Sequence, residues 1–156
     1  VAVIGIFADR PYEIFTGRAV DSFSILTPVS AGKVIKTKEN GSNRYDFQYT
    51  DKDGYKVTIE GLSRSFNKEY WNYAKLISGV LRHGMPLPYV VDMIENLHLE
   101  SASLNNWKNG VVRALRQFIP DGTTPSHNTC PKCQTDGLVY QEGCLHCVNC
   151  GHSECA

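Results

Sequence analysis

Residues 130–156 read CPKCQTDGLVYQEGCLHCVNCGHSECA and contain all six cysteines of the chain. Two C-x-x-C pairs, Cys130 with Cys133 and Cys147 with Cys150, are separated by 13 residues. Each pair forms a tight turn that can present two thiolates on one side. Two such turns, brought together, complete a tetrahedral zinc site. The spacing therefore predicts a zinc-binding module.

The stretch between the two pairs predicts a hairpin. Residues 138–140 are apolar and favour a short strand, and Glu142 with Gly143 favours a turn. Gly151 follows the second pair and can take the positive φ that directs backbone N–H groups at sulfur. Gln134 follows the first pair, where glycine is common, so the first turn departs from the ideal pattern. The module is predicted to be a zinc ribbon.

A disulfide framework is the alternative explanation of these cysteines. It requires an oxidising compartment, yet no signal peptide is apparent and residues 1–129 contain no cysteine. We therefore expect a metal site and a cytoplasmic protein. Ligation by His146 or His152 is not expected, because enough cysteines are present.

Two cysteines remain once zinc has its four thiolates. The favoured ligand set consists of both C-x-x-C pairs and leaves Cys144 and Cys155. A rival set replaces Cys150 with Cys144 and leaves Cys150 and Cys155. Exposed thiol pairs can perform thiol–disulfide exchange, because access and thiolate fraction control the rate. We therefore expect the surplus pair to be redox-active.

The charge balance excludes several classes of partner. Sixteen basic and sixteen acidic residues give no net charge, so no general attraction to nucleic acid or anionic membranes follows. The ribbon is slightly acidic, which argues against phosphate binding. No apolar run approaches the length of a membrane span. Neither a nucleic acid nor a membrane is expected as a partner.

The first 120 residues predict an α+β domain with a mainly antiparallel sheet packed on helices. Apolar, β-branched and alternating patterns predict strands at 1–7, 12–15, 23–26, 33–37, 45–49 and 55–59. Asp51 and Asp53 precede Gly54 in a turn. This turn is not a calcium loop, because the distal glutamate is absent. No nucleophile elbow, paired carboxylates or phosphate loop is visible, so the domain has no recognisable active site of its own.

Three helices are predicted to follow. Asn67 caps a helix over 68–83, a second begins near Pro88, and a third is capped by Ser103 and ended by Pro120. The side chains expected to be buried on these helices are Tyr70, Tyr73, Ala74, Ile77, Val80, Leu81, Val90, Val91, Ile94, Leu97, Leu104, Trp107, Val111, Leu115 and Phe118.

Residues 121–129 read DGTTPSHNT and predict a linker between the α+β domain of 1–120 and the ribbon of 130–156. Such a linker would let the ribbon move. The chain also begins without Met, on a stretch predicted to be a buried strand. We therefore expect it to be the C-terminal part of a longer protein.

Three stretches together resemble a known family. They are GIFADRPYEIFTG (5–17), GLSRSFNKEYWNYAKLISGVLRHGMPLPYVVDMIENL (61–97) and CPKC…EGCLHCVNCGHSEC (130–155). They are similar to the C-terminal region of adenosylcobalamin-dependent (class II) ribonucleotide reductases, which make deoxyribonucleotides for DNA synthesis. In that family a small α+β domain follows the catalytic barrel and precedes a cysteine-rich zinc-binding tail. The resemblance implies that substrate and adenosylcobalamin bind in the barrel, so this segment alone is expected to be inactive and to bind no cobalamin.

The resemblance also implies a role for the surplus cysteines. Each turnover of such a reductase oxidises two active-site thiols to a disulfide, and a thiol pair on the tail reduces it. An external dithiol or other electron donor then restores that pair. Cys144 with Cys155, or Cys150 with Cys155, is thus expected to relay reducing equivalents to a barrel in the same or a neighbouring subunit.

Two other functions are compatible with the sequence. One is a zinc-ribbon module that binds nucleic acid or protein and has no redox role. The other is a structural ribbon that aids oligomerisation, which does not conflict with a relay. The surplus cysteine pair and the missing basic patch favour the relay over the binding module.

Overall fold

The structure is a computed structural model that describes residues 1–18 and 29–155. Antiparallel sheets pack with helices, which confirms the predicted α+β class. The strand predicted at 23–26 lies outside the described residues. No helix in the described ranges has the length and apolar character needed to cross a bilayer.

The first two strands form a hairpin, β1 (Ala2–Phe7) and β2 (Arg10–Thr16). Ala8 and Asp9 make the turn with φ of 48° and 60°, both in the left-handed region that tight hairpin turns use. The strand predicted at 12–15 therefore begins earlier, since Arg10 and Pro11 already pair with β1.

A second sheet contains β3 (Lys33–Glu39), β4 (Ser42–Thr50) and β5 (Lys56–Ile59), in that order. Among the described residues, the body therefore carries two separate sheets. The rings of Phe15 on β2 and Tyr45 on β4 lie 5.2 Å apart between centroids, so one aromatic cluster joins the two sheets.

The helices of the described residues are α1 (Leu62–Ser65), α2 (Lys68–Arg82), α3 (Leu87–Glu95) and α4 (Ala102–Arg116). Asn67 caps α2 as predicted, and its Oδ1 accepts the N–H of Glu69 at 2.8 Å. The predicted cap of α4 at Ser103 is wrong. Ser101 is the extended residue before the helix, and its Oγ accepts the N–H of Leu104 at 3.2 Å.

The main core lies between β2 and the three long helices. It contains the expected sheet contact, since Ile14 of β2 packs in one cluster with Ile77 and Leu81 of α2. Phe118 is a wrong prediction, because it lies beyond the end of α4 and is 39% exposed. The buried residues of this cluster are Ile14, Tyr70, Ala74, Ile77, Leu81, Val90, Val91, Ile94, Trp107, Val111, Val112, Leu115, Ile119 and Tyr140.

Polar contacts fix β2 against the helices. Ser78 of α2 accepts the N–H of Ile14 at 3.0 Å and also lies 3.2 Å from its carbonyl oxygen. Thr16 accepts the indole N–H of Trp107 at 2.8 Å. These side chains pair backbone and hydroxyl groups that the core would otherwise bury unsatisfied. These contacts attach β2 to both α2 and α4.

Candidate metal and thiol site

The cysteine-rich segment forms a third antiparallel sheet of β6 (Leu138–Gln141), β7 (Cys144–Cys147) and β8 (Ser153–Glu154). Glu142 and Gly143 make the predicted turn with φ of 49° and 76°. This hairpin carries Cys147 at the end of β7, directly opposite Leu138. The pairing brings the second C-x-x-C turn back to the first.

Four sulfur atoms meet at the base of this hairpin. The thiols of Cys130, Cys133, Cys147 and Cys150 all lie within 4.8 Å of one another. The Sγ of Cys130 is 3.8 Å from that of Cys150, and the Sγ of Cys133 is 3.7 Å from that of Cys147. Zinc–sulfur bonds of about 2.3 Å in a tetrahedron require sulfur–sulfur separations of about 3.8 Å. The four thiols fit a metal such as zinc.

The two cysteine turns have matching backbones. The N–H of Gln134 donates to the carbonyl of Cys130 at 2.9 Å, and the N–H of Gly151 donates to that of Cys147 at 3.0 Å. Gln134 has a φ of 59° and Gly151 a φ of 71°. Gln134 thus takes the left-handed conformation that glycine usually supplies, at a cost of about 1 kcal/mol.

The thiols of the cluster differ in acidity. The hydroxyl of Thr135, 3.1 Å from Cys133 Sγ, is the main cause that lowers the pKa of Cys133 to about 6. The backbone N–H of His152 lowers the pKa of Cys150, but burial and the neighbouring thiols outweigh it and raise that pKa to about 11. At neutral pH the metal-free cluster therefore contains a thiolate, the form that binds metal ions.

The remaining two cysteines are bonded to each other. Cys144, the first residue of β7, forms a disulfide with Cys155, which follows β8. The four-sulfur cluster thus contains the favoured ligand set, and Cys144 of the rival set lies outside it. The identity of the metal ligands and of a redox pair stays a prediction. His146 is not in the cluster, and its Nε2 lies 3.5 Å from Ser153 Oγ.

The ribbon packs on the α+β body through Tyr140. This side chain of β6 is only 2% exposed and belongs to the main core cluster. The guanidinium of Arg116, at the end of α4, lies 5.9 Å from the centre of the Tyr140 ring. Arg116 also pairs with Glu95 of α3. Burial raises the pKa of both Tyr140 and Glu95. The sequence patterns did not predict this contact, since no spacing connects a strand of the ribbon to a distant helix end.

Residues 121–129 run alongside β6. The N–H of Tyr140 donates to the carbonyl of Thr123 at 2.9 Å, and the N–H of Gly122 donates to that of Tyr140 at 2.7 Å. Further along, the N–H of Leu138 donates to the carbonyl of Asn128 at 3.2 Å. The division into a domain of 1–120, a linker of 121–129 and a ribbon of 130–156 stays a prediction. These contacts do connect the intervening residues to the ribbon.

Comparison with protein families gives a match over most of the chain. The model of the family described as NrdJ homologue C-terminal domain matches residues 1–120. The chain belongs to this family. Membership relates the NrdJ homologue domain to ribonucleotide reductase, an oxidoreductase. The match covers the body and not the ribbon, so the chemistry of the ribbon rests on its own geometry. No curated protein matches the chain, and no solved structure does.

Proposed function

We propose that this NrdJ homologue domain is the C-terminal segment of an adenosylcobalamin-dependent (class II) ribonucleotide reductase, and that its ribbon relays reducing equivalents to the active site. The observation that carries the proposal is the division of the six cysteines into a group of four and a bonded pair. Four sulfurs gather as a metal site, and the two left over, Cys144 and Cys155, form a disulfide with each other. A ribbon that only folds around a metal does not need this second pair.

The relay is a thiol–disulfide exchange in two steps. In the reduced ribbon, a thiolate of the pair attacks the oxidised active-site disulfide and forms a mixed disulfide. The second ribbon thiol then displaces the active-site sulfur, so the active site regains two thiols and the ribbon is left with the Cys144–Cys155 disulfide. An external dithiol reduces this disulfide in the same way. Cys155 is exposed and Cys144 is half-buried, so we expect the donor to attack at Cys155.

The four-cysteine site would support this exchange by fixing the strands. Cys147 is on the same strand as Cys144, and Cys150 lies between β7 and β8. A zinc ion held by these thiolates supplies folding free energy to a small module that has little core of its own. The pair would then stay close together after its disulfide is reduced, which favours closing the disulfide again over forming a lasting mixed disulfide.

The proposed partners follow from this chemistry. They are the catalytic barrel, in the same or a neighbouring subunit, and an external dithiol or other electron donor. Substrate and adenosylcobalamin would bind in the barrel and not in this segment. The reaction supplies deoxyribonucleotides for DNA synthesis, and we expect it to take place in the cytoplasm. An additional role of the ribbon in oligomerisation is compatible with the relay.

The test is Cys155→Ser in the full-length reductase. Ser153→Ala, on the exposed strand β8 just before Cys155, is the matched control. Cys155→Ser should abolish repeated turnover with a dithiol protein donor and leave a single turnover of the pre-reduced enzyme nearly unchanged. A small dithiol that enters the barrel should restore repeated turnover, because it bypasses the ribbon. Zinc content should match the control. Sustained turnover by Cys155→Ser with the protein donor would refute the relay and leave a binding or assembly module.

A further inference from the structure

A groove of about 1100 Å³ lies between the two sheets of the body. Residues 1–6, which are mostly β1, form one wall of the groove. Residues 29–36, which include the first half of β3, form another. In the part of the chain that the structure describes, β1 pairs only with β2 and β3 pairs only with β4. Among residues 1–18 and 29–155, each strand therefore has one edge without a pairing strand, and both edges border the same groove.

The register identifies the backbone groups on these edges. Val1 and Gly17 exchange two backbone hydrogen bonds across the hairpin, of 2.9 and 3.1 Å. Because antiparallel pairs alternate, the N–H and C=O groups of Ala2 and Ile4 point away from β2.

The same reasoning applies to β3. The N–H of Asp51, just after β4, donates to the carbonyl of Tyr55 at 2.9 Å, so the odd-numbered residues of β4 bond to β5. The even-numbered residues of β4 then bond to β3. The backbone groups of Val34 and Lys36 consequently point to the free edge at the groove.

Several large apolar side chains are exposed in the groove. Val1, Ile6, Ile35 and Phe118 line it, and they are 41%, 47%, 36% and 39% exposed. Large apolar side chains that gather beside unpaired strand edges are typical of surfaces that accept another strand. Single exposed hydrophobic residues are common on protein surfaces and do not indicate a binding site.

Charge narrows the choice of partner. Lys33 and Lys36 line the groove and are exposed. Glu13 also lines it, but its carboxylate pairs with Arg82 at 2.5 Å. The available charge is therefore positive, and an acidic segment complements it.

We propose that this groove is the docking site of an extended polypeptide segment, which adds as a strand to the free edge of β1 and reaches that of β3. The segment would be apolar at alternate positions and acidic between them. A bulge between Gly5 and Ile6 ends the regular edge of β1, so pairing there is confined to the residues before it. This docking is independent of the proposed redox relay, because it uses strand edges of the body and none of the cysteines.

A labelled ten-residue peptide of alternating valine and glutamate tests the proposal with the full 156-residue chain. NMR should show shifts and slower exchange of the amides of Ala2, Ile4, Val34 and Lys36 when this peptide binds. The same peptide with N-methyl groups on alternate residues cannot donate from one edge and should not bind. Lys36→Glu should weaken binding about three- to tenfold. Lys38→Glu is the matched control, because Lys38 is exposed on the same strand but does not line the groove.

Three outcomes would overturn the proposal. The first is no binding of the valine–glutamate peptide at millimolar concentration. The second is slow amide exchange of Ala2 and Ile4 before peptide is added, which would show that the edge is already paired. The third is an equal loss of binding in Lys36→Glu and Lys38→Glu. That result would mean that these lysines attract anions generally and that the groove makes no specific contact with the peptide.

Discussion

Tyr140→Ala tests whether the ribbon is docked on the body in solution. The Tyr140 ring is almost fully buried among helix residues of the main core, and it lies beneath the guanidinium of Arg116. Truncating a buried aromatic side chain to alanine costs about 3–5 kcal/mol, and the cation–π contact adds about 0.5–1 kcal/mol. We therefore expect the unfolding free energy of the body to fall by about 3.5–6 kcal/mol.

The assay for Tyr140→Ala is urea unfolding followed by the fluorescence of Trp71 and Trp107, both of which lie in the body. Bound zinc is measured in parallel, since the four-sulfur cluster does not include Tyr140. Gln141→Ala is the matched control, because this neighbour on β6 is exposed. A change in stability below about 0.5 kcal/mol would match a surface substitution and refute the docking. If Tyr140→Ala and Gln141→Ala lost zinc equally, the ribbon would be unfolding independently of its contact with the body.

Three further predictions concern separate parts of the chain. Cys147→Ser should release the metal and unfold the ribbon while the helical circular dichroism of the body persists; retention of one zinc per chain would contradict the ligand assignment. Ser101→Ala should lower the unfolding free energy by about 1 kcal/mol and Ser103→Ala by much less, and a reversed order in thermal melts would restore the cap predicted from sequence. Asp46→Asn should cost about 1.5–3 kcal/mol at pH 7, because buried Asp46 accepts the N–H of Gly61 and the guanidinium of Arg44, each at 2.8 Å. The Gly61 N–H is the main cause that lowers the pKa of Asp46 below 3.8, so its stabilisation is present above that pH and is lost as the pH falls below it. A wild-type and an Asp46→Asn protein with the same acid-unfolding midpoint would contradict this.

Local signals in the sequence predicted most of the elements correctly. Asn67 caps α2 because its side chain reaches an N–H two residues ahead, and that contact depends on nothing distant. Ser101 and Ser103 offered the same chemistry two residues apart, and only the extended backbone at Ser101 decides between them. Gln134 shows the limit of residue preferences. The cysteine turn requires a positive φ at this position, and glutamine rarely adopts that conformation.

Contacts between distant elements were not predictable in the same way. The alternation in β1 to β5 predicts strands, but it does not specify whether they join one sheet or two. The burial of Tyr140 depends on Arg116 and Glu95, which are far away in sequence. A lone tyrosine in a short ribbon strand gives no sign of a partner. Cysteine spacing is different, because a metal site requires a fixed set of ligands and so connects sequence to geometry directly.

The pairing of residues 121–129 with β6 yields the last prediction. If the ribbon moves during the proposed relay, the hydrogen bonds of Tyr140 to Gly122 and Thr123 require this segment to move with it, and the hinge then lies before Asp121. In the zinc-bound chain, the amides of Gly122 and Tyr140 should exchange slowly with deuterium. Chelation of the metal should make both amides exchange quickly, because Tyr140 belongs to a hairpin that folds on its ion and Gly122 bonds to it. The amides inside α2 should stay protected. Fast exchange at Gly122 in the zinc-bound chain would instead identify residues 121–129 as the free linker that their composition predicts.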